Sequence, residues 1–218
     1  MEQIIKEILD LEWDMMGRMD NNENREEERP LFESMRTAQF DTWPEELAAS
    51  YLTDLKTAEE QGRNLQEEKF VRMLKNTEPE EYARLLPKLP EVPQEIADTV
   101  AEIWAKLEEL NRAFNEKYPV LGMSGRPLTA DLESDIPSVE TYQCSEMLTY
   151  SAETLRLFAD FLRRDMENGG NLVERIQEKT IVQMGFKSLA DAEKELAWQA
   201  IQQMGGQQCS SCGIMPAF

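Results

Sequence analysis

The sequence contains no histidine. That absence removes the commonest general base, the commonest metal ligand and the usual physiological pH switch together. It excludes a Ser-His-Asp or Cys-His hydrolase built from this chain alone. Any catalysis would rest on carboxylates, tyrosines, lysines, arginines or thiols. Basic residues are scarce as well: 23 Lys and Arg stand against 43 Asp and Glu, a formal net charge of −20. Such a surface repels phosphate backbones and anionic lipids, so neither nucleic acid nor a membrane surface is an expected partner. No apolar run approaches the ~20 residues that span a bilayer, and no signal-peptide pattern opens the chain. A cytoplasmic location is the expectation.

Cysteine is limited to three residues. Cys209 and Cys212 form a C-x-x-C behind a Gly-Gly hinge at the C-terminal end, and only Cys144 remains. A closed four-thiolate zinc site within one chain is therefore impossible, although two tails could pool four thiolates across a dimer. A redox pair would need a helix N-terminus or a nearby cation to lower a thiol pKa, and "GGQQCSSCGIMPAF" supplies neither. With histidine absent, the Glu plus Glu-x-x-His pattern of ferritin-like bundles cannot be built. No EF-hand loop is present either. The expectation is no metal and no cofactor.

What is present reads as helix throughout. At 218 residues and 41% hydrophobic composition the chain can bury a core without covalent staples. "IIKEILDLEWDMMGRM" sets Ile4, Ile8, Leu11, Met15 and Met19 at helical spacing, widened by Ile5. "NNENREEER" is charged and aperiodic and reads as an exposed loop, with Pro30 opening a short helix over "LFESMRTAQF". Thr42 with Glu45, and Thr77 with Glu80, have the spacing of capping boxes; Asn64 with Glu67 and Asn171 with Glu174 repeat it. The helix from Trp43 buries Leu47, Tyr51, Leu55 and Ala58 and stops at Gly62. Pro87, Pro90 and Pro93 make a rigid connector into a long helix with Ile96, Val100, Ile103, Leu107, Leu110 and Phe114 inward. Residues 118–137 read as the longest irregular stretch, where loops of this length are usually functional or mobile. Ser138 caps a helix that runs on to Gly169 and Gly170; helices over Leu172–Met184 and Leu189–Met204 follow, the latter capped by Ser188. No alternating strand pattern occurs. The fold class is all-α, a single-domain helical bundle of about eight helices over residues 1–204, with residues 205–218 as a tail.

These segments, in their order and spacing, carry a resemblance. Glu12-Trp13, "MR" at 35–36 with Gln39 and Trp43, Ser50-Tyr51 with Asp54-Leu55, "GRNL" at 62–65 and "YP" at 118–119 are the first part of it. Glu140-Thr141-Tyr142, "TYS" at 149–151 with Thr154-Leu155, and "SLADAE" at 188–193 complete it. The chain resembles the bacterial family catalogued as domain of unknown function 4125. The resemblance implies a cytoplasmic bacterial protein, in some members fused to or encoded beside a nucleotidyltransferase-like domain, and implies no activity. After the first helix that family usually carries paired glycines and a Cys-Gln, where this chain has "NNENREEERP".

Chemistry concentrates on two faces. Arg36 and Gln39 lie three apart on one helix with Trp43 just beyond, and Tyr142, Glu146 and Tyr150 share a face at i, i+4 and i+8. Opposed, they would line a pocket for a small anionic or planar ligand, Arg36 offering a forked donor pair and the rings an apolar wall. The plainer alternative makes Glu146 a structural partner of an arginine and the tyrosines half-buried core. Asp54, Arg63 and Asn64 form a second tier through the resemblance. The expected function is a small-ligand-binding or accessory module, working with a nucleotidyltransferase-like partner. The rival is an enzyme using carboxylate, tyrosine or tail-thiol chemistry. The run "ENREEER" reads as solvated, with docking of a basic partner as the sharper alternative. Oligomeric state is not legible.

Overall fold

Helix α1 (Glu2–Gly17) buries Ile5, Ile8, Leu9, Trp13 and Met15, a stripe rotated from the predicted one. Ile4 and Leu11 are only partly buried, and Met19 is exposed. The rotation carries the acidic Glu12 onto the inward face, where none of its surface meets solvent. The computed structural model describes residues 1–19, 25–130 and 136–205. Residues 21–24 of the acidic segment and the C-x-x-C tail with Cys209 and Cys212 lie outside them.

The remainder of the acidic segment is helical rather than a loop. Helix α2 (Arg25–Phe40) starts five residues before Pro30. Glu26, Glu27 and Glu28 occupy its first turn, where the helix macrodipole favours negative charge. Pro30 lies inside this helix rather than opening it, and there it removes one i→i−4 backbone bond. Arg25 and Arg29 fasten this end to α1: Arg25 lies over the Trp13 ring at 4.3 Å, and Arg29 pairs with Asp10 at 2.7 Å.

Helix α3 (Glu45–Glu60) follows, with Pro44 rather than Thr42 at its N-cap; the Thr42 hydroxyl instead donates backward to the Gln39 carbonyl at 2.6 Å. Gly62 takes φ +68° and ends the α3 segment as expected. Asn64 caps α4 (Leu65–Thr77) by accepting from the Gln66 and Glu67 amides. Thr77 is the last residue of that helix and caps nothing; α5 (Pro79–Leu85) begins two residues later. A 3-10 turn at Leu86–Lys88 leads through the proline connector into α6 (Gln94–Lys117), which buries Val100, Ile103, Leu107, Leu110 and Phe114.

The stretch predicted to be irregular holds a short helix, α7 (Pro119–Ser124). Its first amides, of Val120 and Leu121, both donate to the Glu193 carboxylate at 2.9 Å. An acid from a distant helix thus supplies the cap that local sequence lacks. The long helix predicted after Ser138 is two: α8 (Val139–Met147) and α9 (Ala152–Glu167). Ser151 stands between them with ψ 160°, its hydroxyl accepting from the Thr154 amide and its own amide donating to Asp54. A serine at such a cap competes with helix continuation because its side chain replaces a backbone acceptor. Asn171 caps α10 (Leu172–Gln183), and the Ser188 hydroxyl accepts from the Asp191 amide at the start of α11 (Leu189–Gly205).

The described residues therefore form eleven α-helices and no strand, where about eight helices were expected. One continuous core runs from Ile5 on α1 to Ala192 on α11. Helix α8 packs on α4 and α6, α10 on α2 and α6, α3 on α1 and α9, and α11 on α7. No described helix is long and apolar enough to cross a membrane. Because the Ser151 side chain caps α9, Ser151→Ala should cost about 1 kcal/mol, read as a lowered urea midpoint with unchanged slope.

Candidate functional site

Packing α1, α2, α4 and α8 together brings four charged side chains into the interior. Glu12 comes from α1, Arg36 from α2, Lys69 from α4 and Glu146 from α8, each less than a tenth exposed. An isolated charge could not stay there, so each must be matched. Arg36 donates from Nε to Glu12 Oε2 at 2.8 Å and from Nη2 to Glu12 Oε1. Its Nη1 turns the other way, to Gln39 Oε1 at 2.7 Å and to both Glu146 oxygens at 3.1 and 3.3 Å. Lys69 Nζ donates to Glu146 Oε2 at 2.5 Å. Two tyrosine hydroxyls complete the set at 2.7 Å each, Tyr51 donating to Glu12 and Tyr150 to Glu146. Two carboxylates and two cations leave the cluster neutral.

The rings close around it. Tyr51 and Tyr150 lie 4.9 Å apart, Trp43 meets Tyr150 edge-on at 6.4 Å, and the Arg36 guanidinium sits 4.6 Å from the Phe40 ring centroid. Lys69 Nζ lies 3.7 Å from the Tyr142 ring centroid. The ring contacts of Arg36 and Lys69 leave those cations less need for water.

Beside this cluster is a cavity of about 150 Å³, between α2, α6, α8 and α10. Its wall includes all six residues singled out on the two faces: Arg36, Gln39, Trp43, Tyr142, Glu146 and Tyr150. Apolar side chains, among them Leu107, Met147, Phe158, Leu172, Val173 and Ile176, supply most of the remainder. The structure thus brings the two faces together. It corrects the role given to Arg36, whose forked edge is taken by Glu12 and is not offered to a ligand. Asp54, Arg63 and Asn64 stand elsewhere. Asp54 accepts from the Ser151 amide, Arg63 pairs with Glu68 at 2.8 Å, and Asn64 ties the Met15 carbonyl to α4 at 2.7 Å. Cys144 faces a separate, more open groove with Tyr82, Pro87 and Pro90. Burial, followed by Glu140, pushes its thiol up to about 12, so it stays protonated near neutral pH.

Two members escaped the sequence reading. Glu12 sits at i+4 from Ile8 and is followed by Trp13, an acid set in an apolar stripe. Lys69 lies one turn after Leu65 on the buried side of α4, while the adjacent Phe70 is 48% exposed. An acid or a lysine in register with buried residues was the available signal in each case.

The titration behaviour follows from the pairing. Burial opposes ionisation of Glu146, yet Arg36 and Lys69 outweigh it and hold the carboxyl well below its ordinary 4.5. Burial likewise opposes the charge on Lys69, and Glu146 overcomes it, raising the amine above 10.5. Burial, then the neighbouring carboxylate, lifts Tyr51 and Tyr150 well above 10. No group of three or more Cys, Asp or Glu among the described residues is placed to hold a metal.

The fold and site define an all-helical protein with one core, built around a neutral buried ion network that adjoins a mostly apolar chamber. The chain belongs to the family described as Protein of unknown function (DUF4125), whose model matches residues 2–194. The match includes the whole network. No curated protein and no solved structure matches the chain.

Arg36→Met leaves Glu12 without a cation and Glu146 with Lys69 alone, and should cost about 3–5 kcal/mol in chemical denaturation. A second expectation concerns pH. A carboxyl with a depressed folded pKa stabilises fully above its unfolded value, and that stability is lost as pH falls through the folded one. Lys69 behaves in the mirror sense, its contribution being full below 10.5 and lost as pH rises through its raised value. Glu146→Gln should therefore lower stability at neutral pH and flatten its loss below pH 4.5, checked by urea midpoints across pH.

Proposed function

We propose that the protein is a small-molecule-binding helical module whose chamber between α2, α6, α8 and α10 holds an apolar, ring-sized group. The observation that carries this reading is the cavity itself: about 150 Å³, lined mostly by apolar side chains and edged by Gln39, Asn111, Tyr142, Gln143 and Gln177. A dry apolar cavity of about that volume accommodates a benzene-sized molecule. Convergent amides at its edge are the usual means of orienting one. One of them, Gln143, has a buried Oε1 with no hydrogen-bond partner.

The same geometry favours binding over acid–base catalysis. Proton transfer needs a group with a pKa near the working pH. Here the depressed Glu146 and the raised Lys69, Tyr51 and Tyr150 all move away from neutrality. The tyrosines remain hydrogen-bond donors and the carboxylates remain fully engaged.

Indole and benzamide test the chamber. Each should raise the melting temperature saturably, by about 5 °C or more once near 100 times Kd. Val173→Trp, which fills the chamber, should abolish the shift. Absence of a saturable shift in the wild type, or an equal shift in the filled variant, would remove this reading.

A further inference from the structure

A second cavity adjoins the chamber at Val139. Its volume is about 50 Å³, and it shares Asn111, Val139 and Gln177 with the chamber and extends to Asn115 and Arg126. Arg126 differs from every other cation near the site. Arg36 and Lys69 are matched by Glu12 and Glu146, whereas no ion pair among the described residues joins Arg126. Its Nη1 donates to the Pro137 carbonyl at 3.0 Å, and its Nε is buried without a hydrogen-bond partner. The guanidinium lies 5.3 Å from the centroid of Tyr142, whose side chain also borders the main chamber.

A half-buried guanidinium with an unmatched donor is an uncompensated cost of folding. Burial pulls its pKa below the ordinary 12.5, yet an arginine keeps its proton at any physiological pH. Counted over the described residues, the site is neutral in its large apolar part and positive in its small polar part. A molecule that matches both has an apolar body and one compact, planar anionic group. The net charge of −20 does not oppose this at short range, because repulsion from surface carboxylates is screened over a Debye length of about 8 Å.

We propose that the two adjoining cavities bind a small organic carboxylic acid, its apolar ring in the main chamber and its carboxylate on the Arg126 guanidinium. This rests on the chamber being a ligand site and adds the class of ligand. Arg126 is the specificity-determining residue, since a guanidinium meets a carboxylate through two parallel N–H bonds that an amide cannot reproduce.

The test is calorimetric titration of the full chain with benzoate, phenylacetate and 3-phenylpropionate, each beside its primary amide. At least one acid should bind about tenfold or more tightly than its amide. Arg126→Gln should bring that pair within about threefold by weakening the acid and leaving the amide unchanged. Arg126→Lys should retain part of the preference, and with the wild-type ratio it decides the matter if Arg126→Gln does not fold. Equal binding of acid and amide by the wild type, or a preference that survives Arg126→Gln, overturns the carboxylate assignment while leaving the chamber a ligand site. Failure of both acids and amides to bind overturns the two readings together.

Discussion

The guanidinium of Arg36 is the point on which the rest of the structure depends. One edge is committed to Glu12 on α1 and the other to Glu146 on α8, so a single side chain on α2 fixes two other helices against it. Tyr51 brings α3 to the same carboxylate, and Lys69 brings α4 to Glu146. Buried ion pairs are poor sources of net stability, because desolvation consumes most of the Coulomb gain. Their consequence here is selectivity among arrangements. Sliding any of these helices by one turn would leave a buried charge unmatched, a penalty of several kcal/mol, whereas an all-leucine interface would tolerate the slip.

Helix α4 shows the same logic carried to a second layer. Its inward face presents Leu65, Glu68, Lys69 and Arg72, all buried, and its Phe70 looks outward. Glu68 joins Arg63 at 2.8 Å and Arg72 at 3.5 Å, so this helix meets the body partly through paired charges. The inversion is tolerable only because every buried charge on it finds a partner. An ordinary amphipathic helix in this position would have buried Phe70 and exposed Lys69, removing the second cation from Glu146.

Periodicity made most of the helices legible, because apolar residues at i, i+3 and i+4 are the direct cause of burial on α3 and α6. The caps at Asn64, Ser138, Asn171 and Ser188 were legible for the same local reason. What escaped was whatever depends on partners far along the chain. The cap on α7 comes from Glu193, and the start of α2 is fastened by Arg25 and Arg29 to residues on α1. The two polar-aromatic faces were visible as spacing, yet their charge state was not. Whether Arg36 faces a ligand or a carboxylate depends on Glu12, and Glu12 looks like one acid among 43 until α1 is rotated to its observed angle.

The network and the chamber are two results of one arrangement. Matching the charges fixes α2 and α8 at a distance set by the Arg36 and Glu146 side chains, and the space left beside them is the cavity. The network's donors and acceptors are already engaged, so the proposed ligand would meet a wall held in place beforehand. Its binding would cost little ordering, which is the physical content of preorganisation. The buried polar atoms at Gln143 and Arg126 lie outside that closed set of bonds. Four side-chain atoms among the described residues are buried without a hydrogen-bond partner, on Trp13, Arg25, Gln143 and Arg126, and the last two belong to residues that line the cavities.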